Sequence, residues 1–124
     1  MWYYKKYFSA VVIILFIIAS VYIIFNYTGS KITEKQALTI CAKLVYESIA
    51  ENFTITRTNF DSNFRLGESK IDLYITYPNG KKTSSDCIFY SKYKNNNIKL
   101  KQALLVDVSG NLIVIDNLLV KYKD

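Results

Sequence analysis

Three patterns of apolar and polar positions divide the chain. Phe8 to Phe25 is a predominantly apolar run with no charge, no Pro and no Gly. At helical rise it reaches roughly 27 Å, close to the hydrocarbon thickness of a bilayer. From Ala37 to Phe53 the apolar residues Leu38, Cys41, Val45, Ile49 and Phe53 recur every three or four positions, widened by Ala37, Ile40 and Leu44. This spacing predicts a helix over about 34–51 with one apolar stripe. Beyond it the period falls to two: Ile71, Leu73, Ile75 and Tyr77 alternate with Asp72, Tyr74 and Thr76, as in a strand with one buried face.

The boundaries carry their own signals. Thr33-Glu34-Lys35-Gln36 is a capping box, in which Thr33 accepts from the third helical N–H and Gln36 reaches back. Phe53–Phe60 is rich in β-branched and aromatic residues and predicts a first strand. Residues 61–69 are polar, hold Gly67, and predict a loop. Pro78-Asn79-Gly80 fits a type I turn closed by a left-handed glycine, a three-residue hairpin loop. That loop sets Tyr77 opposite Lys81, Ile75 opposite Thr83, Leu73 opposite Ser85 and Ile71 opposite Cys87. Residues 90–97 read as a polar turn, followed by strands over Ile98–Val108 and Leu112–Val120 joined at Gly110.

The predicted architecture is therefore α+β: a single transmembrane helix (1–25 with its tail), a linker (26–32), and a domain (33–124) of one helix on about five antiparallel strands. In element order the domain resembles the broad cystatin-like and NTF2-like helix-on-sheet folds. The resemblance carries no motif and no functional residue.

The hairpin register bears on the two cysteines. Cys41 lies on the helix stripe and Cys87 on the strand face that the stripe should cover, so the two can meet. A disulfide is expected in an oxidising compartment; two buried thiols acting as small hydrophobes are the alternative. Along Ala103–Val106 and Leu112–Ile115 the alternation vanishes and both faces are apolar. One helix covers one face, so the other needs a cover: the tail Leu118-Leu119-Val120, a second copy, a partner or lipid. Leu105, Ile113, Ile115, Leu118 and Leu119 are the candidate interaction residues.

Composition narrows the chemistry. The chain has 124 residues, 51% of them hydrophobic, and a formal charge of +6. Histidine is absent, which removes the commonest general base and metal ligand. No zinc spacing, phosphate loop, dinucleotide fingerprint or nucleophile elbow occurs. Asp72 and Asp86 project from one hairpin face, where solvated carboxylates are the simpler reading than a paired acid–base site. No catalysis and no cofactor are expected. Lys92, Lys94, Lys99 and Lys101 gather near Tyr90 and Tyr93, either as an anionic-lipid contact or as a solvated edge that resists strand pairing; nucleic acid is the disfavoured partner.

At the N-terminus Trp2, Tyr3, Tyr4 and Tyr7 flank Lys5 and Lys6, and Tyr22, Phe25 and Tyr27 can form a second aromatic belt. No small-x-small cleavage site follows the run. The expectation is a bacterial inner-membrane protein with its C-terminal domain in the periplasm, serving as an accessory or structural subunit through protein contacts. A binding module for a small apolar or anionic ligand or lipid headgroups is the alternative.

Overall fold

The computed structural model describes residues 10–21, 29–49 and 51–122. Its elements in chain order are helix α1 (10–21), β1 (Ser30–Lys31), α2 (Glu34–Ser48), β2 (Thr54–Arg65), β3 (Glu68–Thr76), β4 (Lys82–Tyr90), β5 (Lys92–Tyr93), β6 (Asn97–Val106) and β7 (Leu112–Lys121). The fold is α+β, with a five-stranded antiparallel sheet in the order β2-β3-β4-β6-β7.

Among the described residues no helix is long and apolar enough to cross a membrane. The described part of α1 covers residues 10–21 of the span predicted at Phe8–Phe25. The ends of that span, and the aromatic and lysine flanks assigned to it, lie outside the described residues. What is described of α1 is apolar and uncharged, and from 11 to 21 only Ser20 is even partly shielded.

α2 forms as its cap signals require. Thr33 Oγ1 accepts from the Gln36 N–H at 3.3 Å, and Gln36 Oε1 accepts from the Thr33 N–H at 3.0 Å. The helix stops at Ser48 rather than near Glu51, because Ile49 turns to extended backbone and keeps its side chain in the core. Ala37, Ile40, Cys41, Leu44 and Val45 are buried against Ile71, Leu73, Cys87, Phe89, Leu100 and Leu105 of the sheet.

The β3–β4 hairpin has the register that its turn dictates, with Ile71 opposite Cys87, Leu73 opposite Ser85 and Ile75 opposite Thr83. The Tyr77 N–H donates to the Lys81 carbonyl at 2.9 Å, and Gly80 takes φ +85°. Cys41 and Cys87 are bonded, linking α2 to β4.

One expectation fails. Residues 61–69 are not a loop: β2 runs to Arg65 and only Leu66 and Gly67 make the turn. The polar residues there pair as strand through irregular register, with Asp61 opposite Lys70 and Arg65 opposite Glu68. The linker and the polar turn are also partly ordered. Ser30 pairs with Tyr93 and Lys31 with Lys92, and the Ile32 N–H donates to the Ser91 carbonyl at 2.7 Å. Of the possible covers for the outer face, the tail Leu118-Leu119-Val120 drops out: it continues β7, as the strand expected over Leu112–Val120 requires, with Leu118 opposite Leu100 and Val120 opposite Ile98.

Tyr77 closes the far end of the core. It is buried, and its hydroxyl donates to the Val106 carbonyl at 2.8 Å. Burial raises its pKa; the neighbouring Thr83 hydroxyl works against the rise, and Asp107 and Glu51 add to it. A phenol whose folded pKa lies above its unfolded value favours the fold fully below about pH 10 and loses that contribution as pH rises through the folded pKa. Tyr77→Phe should therefore cost about 1 kcal/mol at neutral pH, one hydrogen bond. Above about pH 10 it should lose stability less steeply than the native chain. Urea midpoints at neutral and alkaline pH check this; parallel losses in the two proteins would refute it.

Candidate interaction surface

The face of the sheet turned away from α2 is split along its middle. On β2, β3 and the start of β6, charges and rings engage one another. Arg57 lies over the Tyr74 ring at 4.5 Å. Lys70 stands 3.5 Å from both Asp72 and Asp86 and 4.9 Å from the Phe64 ring. Asp72 and Asp86 face each other across the hairpin, so the shared lysine offsets two like charges. Lys101 and Glu68 make an ion pair at 2.9 Å, and Lys99 lies over the Tyr90 ring at 5.4 Å.

The other half is apolar. Leu104 and Val106 of β6 pair with Val114 and Leu112 of β7; on β4, Asp86 stands opposite Leu104 and Ile88 opposite Gln102. Leu112 is 60% exposed and Val114 47%. No described element covers this patch. β7 is also an edge strand with β6 as its single neighbour, so one row of its backbone donors and acceptors is unpaired within the sheet. The opposite edge, β2, is guarded differently: it is polar along most of its length and twice irregular in register. From Leu112 to Ile115 β7 carries no polar side chain at all.

A kink decides which residues face out. Ile88 pairs with Gln102 but Phe89 pairs with Leu100, so Lys101 is an extra residue in β6. Asn117 opposite it on β7 takes φ +51°. Inward positions are Ile98 and Leu100 before the kink and Ala103 and Leu105 after it.

The predicted interaction residues separate accordingly. Leu105 is fully buried under α2 and is a core residue, not a surface one. Ile113 and Ile115 are partly buried against the core. Leu118 sits at the margin, and Leu119 points outward, 63% exposed. These last two, with Thr39, Lys43 and Tyr122, line an open groove of about 530 Å³ between α2 and β7. Leu104, Val106, Leu112 and Val114 were not singled out by sequence; their strand parity was the available signal, but the kink obscures it.

The predicted lysines also part company. Lys92 lies in β5 beside β1, and Lys94 follows it, bridging to Asn97. Lys99 and Lys101 are engaged with Tyr90 and Glu68 as above. Among the described residues no group of three or more Cys, Asp or Glu is placed to hold a metal ion. Compared with protein-family models, curated proteins and solved structures, the chain finds no match.

Proposed function

We propose that this chain is a single-pass membrane-anchored accessory subunit of an envelope protein complex, with its disulfide-bonded domain on the oxidising side of a bacterial inner membrane. The partner is a protein that lays an apolar extended segment along β7 and over the outer patch. The observation that carries the reading is the coincidence of an unpaired, uncharged edge at Leu112–Ile115 with the exposed apolar side chains of Leu112 and Val114. An added strand satisfies the backbone groups while its side chains cover the patch, which is how strand addition obtains both affinity and specificity. The Cys41–Cys87 bond supports the oxidising compartment, since such bonds are rare where thiols are kept reduced. The apolar run at Phe8–Phe25 supports the anchor. The reading involves no catalytic step.

The test is a native gel of the tagged full-length chain extracted from its own membrane in mild detergent. The native chain should migrate in a large assembly. Leu112→Lys with Val114→Lys should release it as a small species, with unchanged circular dichroism and a thermal midpoint shifted little, because both side chains are exposed. Migration of the native chain as a monomer, or an assembly indifferent to the two lysines, would remove this reading.

A further inference from the structure

We infer that the end of the domain nearest the anchor rests on the bilayer, with Leu66 set into the boundary between headgroups and acyl chains and basic side chains around it on anionic headgroups. This rests on the anchor in the reading above.

The first observation is Leu66. It stands at the tip of the β2–β3 turn and is 103% exposed, the most exposed large hydrophobic side chain among the described residues. Its turn partner Gly67 has φ +74°, and a side chain there would meet nothing within 4 Å. The turn is therefore a bare finger projecting an apolar side chain into open space. The two turn tips at the opposite end of the sheet, Pro78-Asn79-Gly80 and Ser109-Gly110, offer no such residue. An isolated exposed leucine needs no explanation by itself; the position of this one gives it meaning.

The second observation fixes that position. Seven residues, 22–28, separate the described part of α1 from Gly29, and fully extended they reach roughly 28 Å at most. The chain then joins the domain at β1, and β1 lies at the same end as Leu66. The Ile32 N–H donates to the Ser91 carbonyl at 2.7 Å, and the Ser91 N–H donates to the Gly67 carbonyl at 2.9 Å. Lys31 Nζ also reaches Asn63 Oδ1 on β2 at 3.4 Å. The short pairing of β1 with β5 thus ties the point where the anchor arrives to the turn that carries Leu66.

The third observation is charge. Lys31, Lys92 and Lys94 belong to β1, β5 and the residue after it, and Arg65 precedes Leu66 with its guanidinium 4.9 Å from the Phe64 ring. The acids at this end include Glu34, Asp61 and, in one hollow with Arg65, Asp116, besides the Glu68 that pairs with Lys101; Asp61 accepts from the Asn63 N–H. Basic residues on the elements tied to this turn, with one apolar tip at its end, suit an anionic membrane surface, where the charges are drawn to headgroups and the tip to the acyl boundary.

The test uses the full-length chain in vesicles of phosphatidylcholine with and without phosphatidylglycerol. The native cysteines are bonded and buried, so a cysteine introduced at Leu66→Cys can be labelled selectively with an environment-sensitive fluorophore. Asn79→Cys at the opposite end is the control. Flotation with the vesicles reports the anchor, and quenching by spin-labelled lipid reports depth. The expected result is a blue-shifted label at 66, quenched by shallow spin labels and more strongly with phosphatidylglycerol, and a label at 79 that is not quenched. Lys31→Gln, Lys92→Gln and Lys94→Gln together should bring the phosphatidylglycerol signal down to the phosphatidylcholine level. If the protein floats but positions 66 and 79 are equally wet, this inference falls and the anchor stands. If quenching at 66 ignores both phosphatidylglycerol and the lysine changes, the anionic contact is wrong. Failure to float removes the anchor and this inference with it.

Discussion

Replacing Cys41 and Cys87 by alanine is expected to lower the unfolding free energy by about 4 kcal/mol and the thermal midpoint by on the order of 20 °C. The bond spans 46 positions of sequence, and cross-linking a loop of that length removes a large share of the freedom of the unfolded chain. Its place in the fold adds to its weight. α2 is one layer and the sheet the other, and the bond is their covalent tie at a point where both cysteines are fully buried. Reduction should consequently track unfolding: the folded chain should resist thiols in water and lose the bond only as denaturant opens it. Urea midpoints of the oxidised, the reduced and the double-alanine proteins would measure all of this. A shift below about 1 kcal/mol would mean that packing alone holds the layers together. The same experiment bears on location, because a domain made in a reducing compartment would lack this contribution and, at this size, have little to spare.

What the sequence made legible was local chemistry combined with period. The capping box at Thr33 and Gln36 fixed the start of α2, and the turn at Pro78-Asn79-Gly80 fixed the register of β3 against β4. Those two together brought Cys41 to Cys87, since a helix stripe and a strand face leave little choice once start and register are known. What escaped was structure specified by distant partners. Residues Asp61–Arg65 have loop composition and become strand because β3 lies alongside them. The pairing of β1 with β5 joins two dipeptides about 60 positions apart, far too short to show a period. The exposed tip at Leu66 was hidden with it: inside a presumed polar loop, one leucine carries no pattern.

The candidate surface was half legible for a different reason. Loss of alternation along Ala103–Val106 and Leu112–Ile115 correctly marked strands that are apolar on both faces. Which residues face outward depends on the extra residue at Lys101 and the left-handed backbone at Asn117, because a strand slipped by one position exchanges its two faces. A bulge of this kind has no dependable sequence signature; here its sites are an ordinary lysine and an asparagine, the latter a residue that tolerates positive φ.

Leu105→Ala against Leu112→Ala separates the two faces most sharply. Leu105 is fully buried beneath α2 and pairs with Ile113; truncating it removes a side chain from a closed core and leaves a cavity, at a cost of about 2–5 kcal/mol. Leu112 is two positions from Val114 on the open face, and its truncation should change stability by less than about 0.5 kcal/mol. The effects on partner binding should run the other way. Leu112→Ala should weaken the assembly while the domain stays folded. Leu105→Ala should leave binding intact in whatever fraction remains folded, so that any loss of complex follows the unfolding curve. Denaturant midpoints and native-gel titrations on the two variants measure both quantities. Equal stability losses would mean that the kink at Lys101 and Asn117 is misassigned and the faces are exchanged. Equal binding losses at matched folded fraction would mean that the partner does not dock on the β6–β7 face.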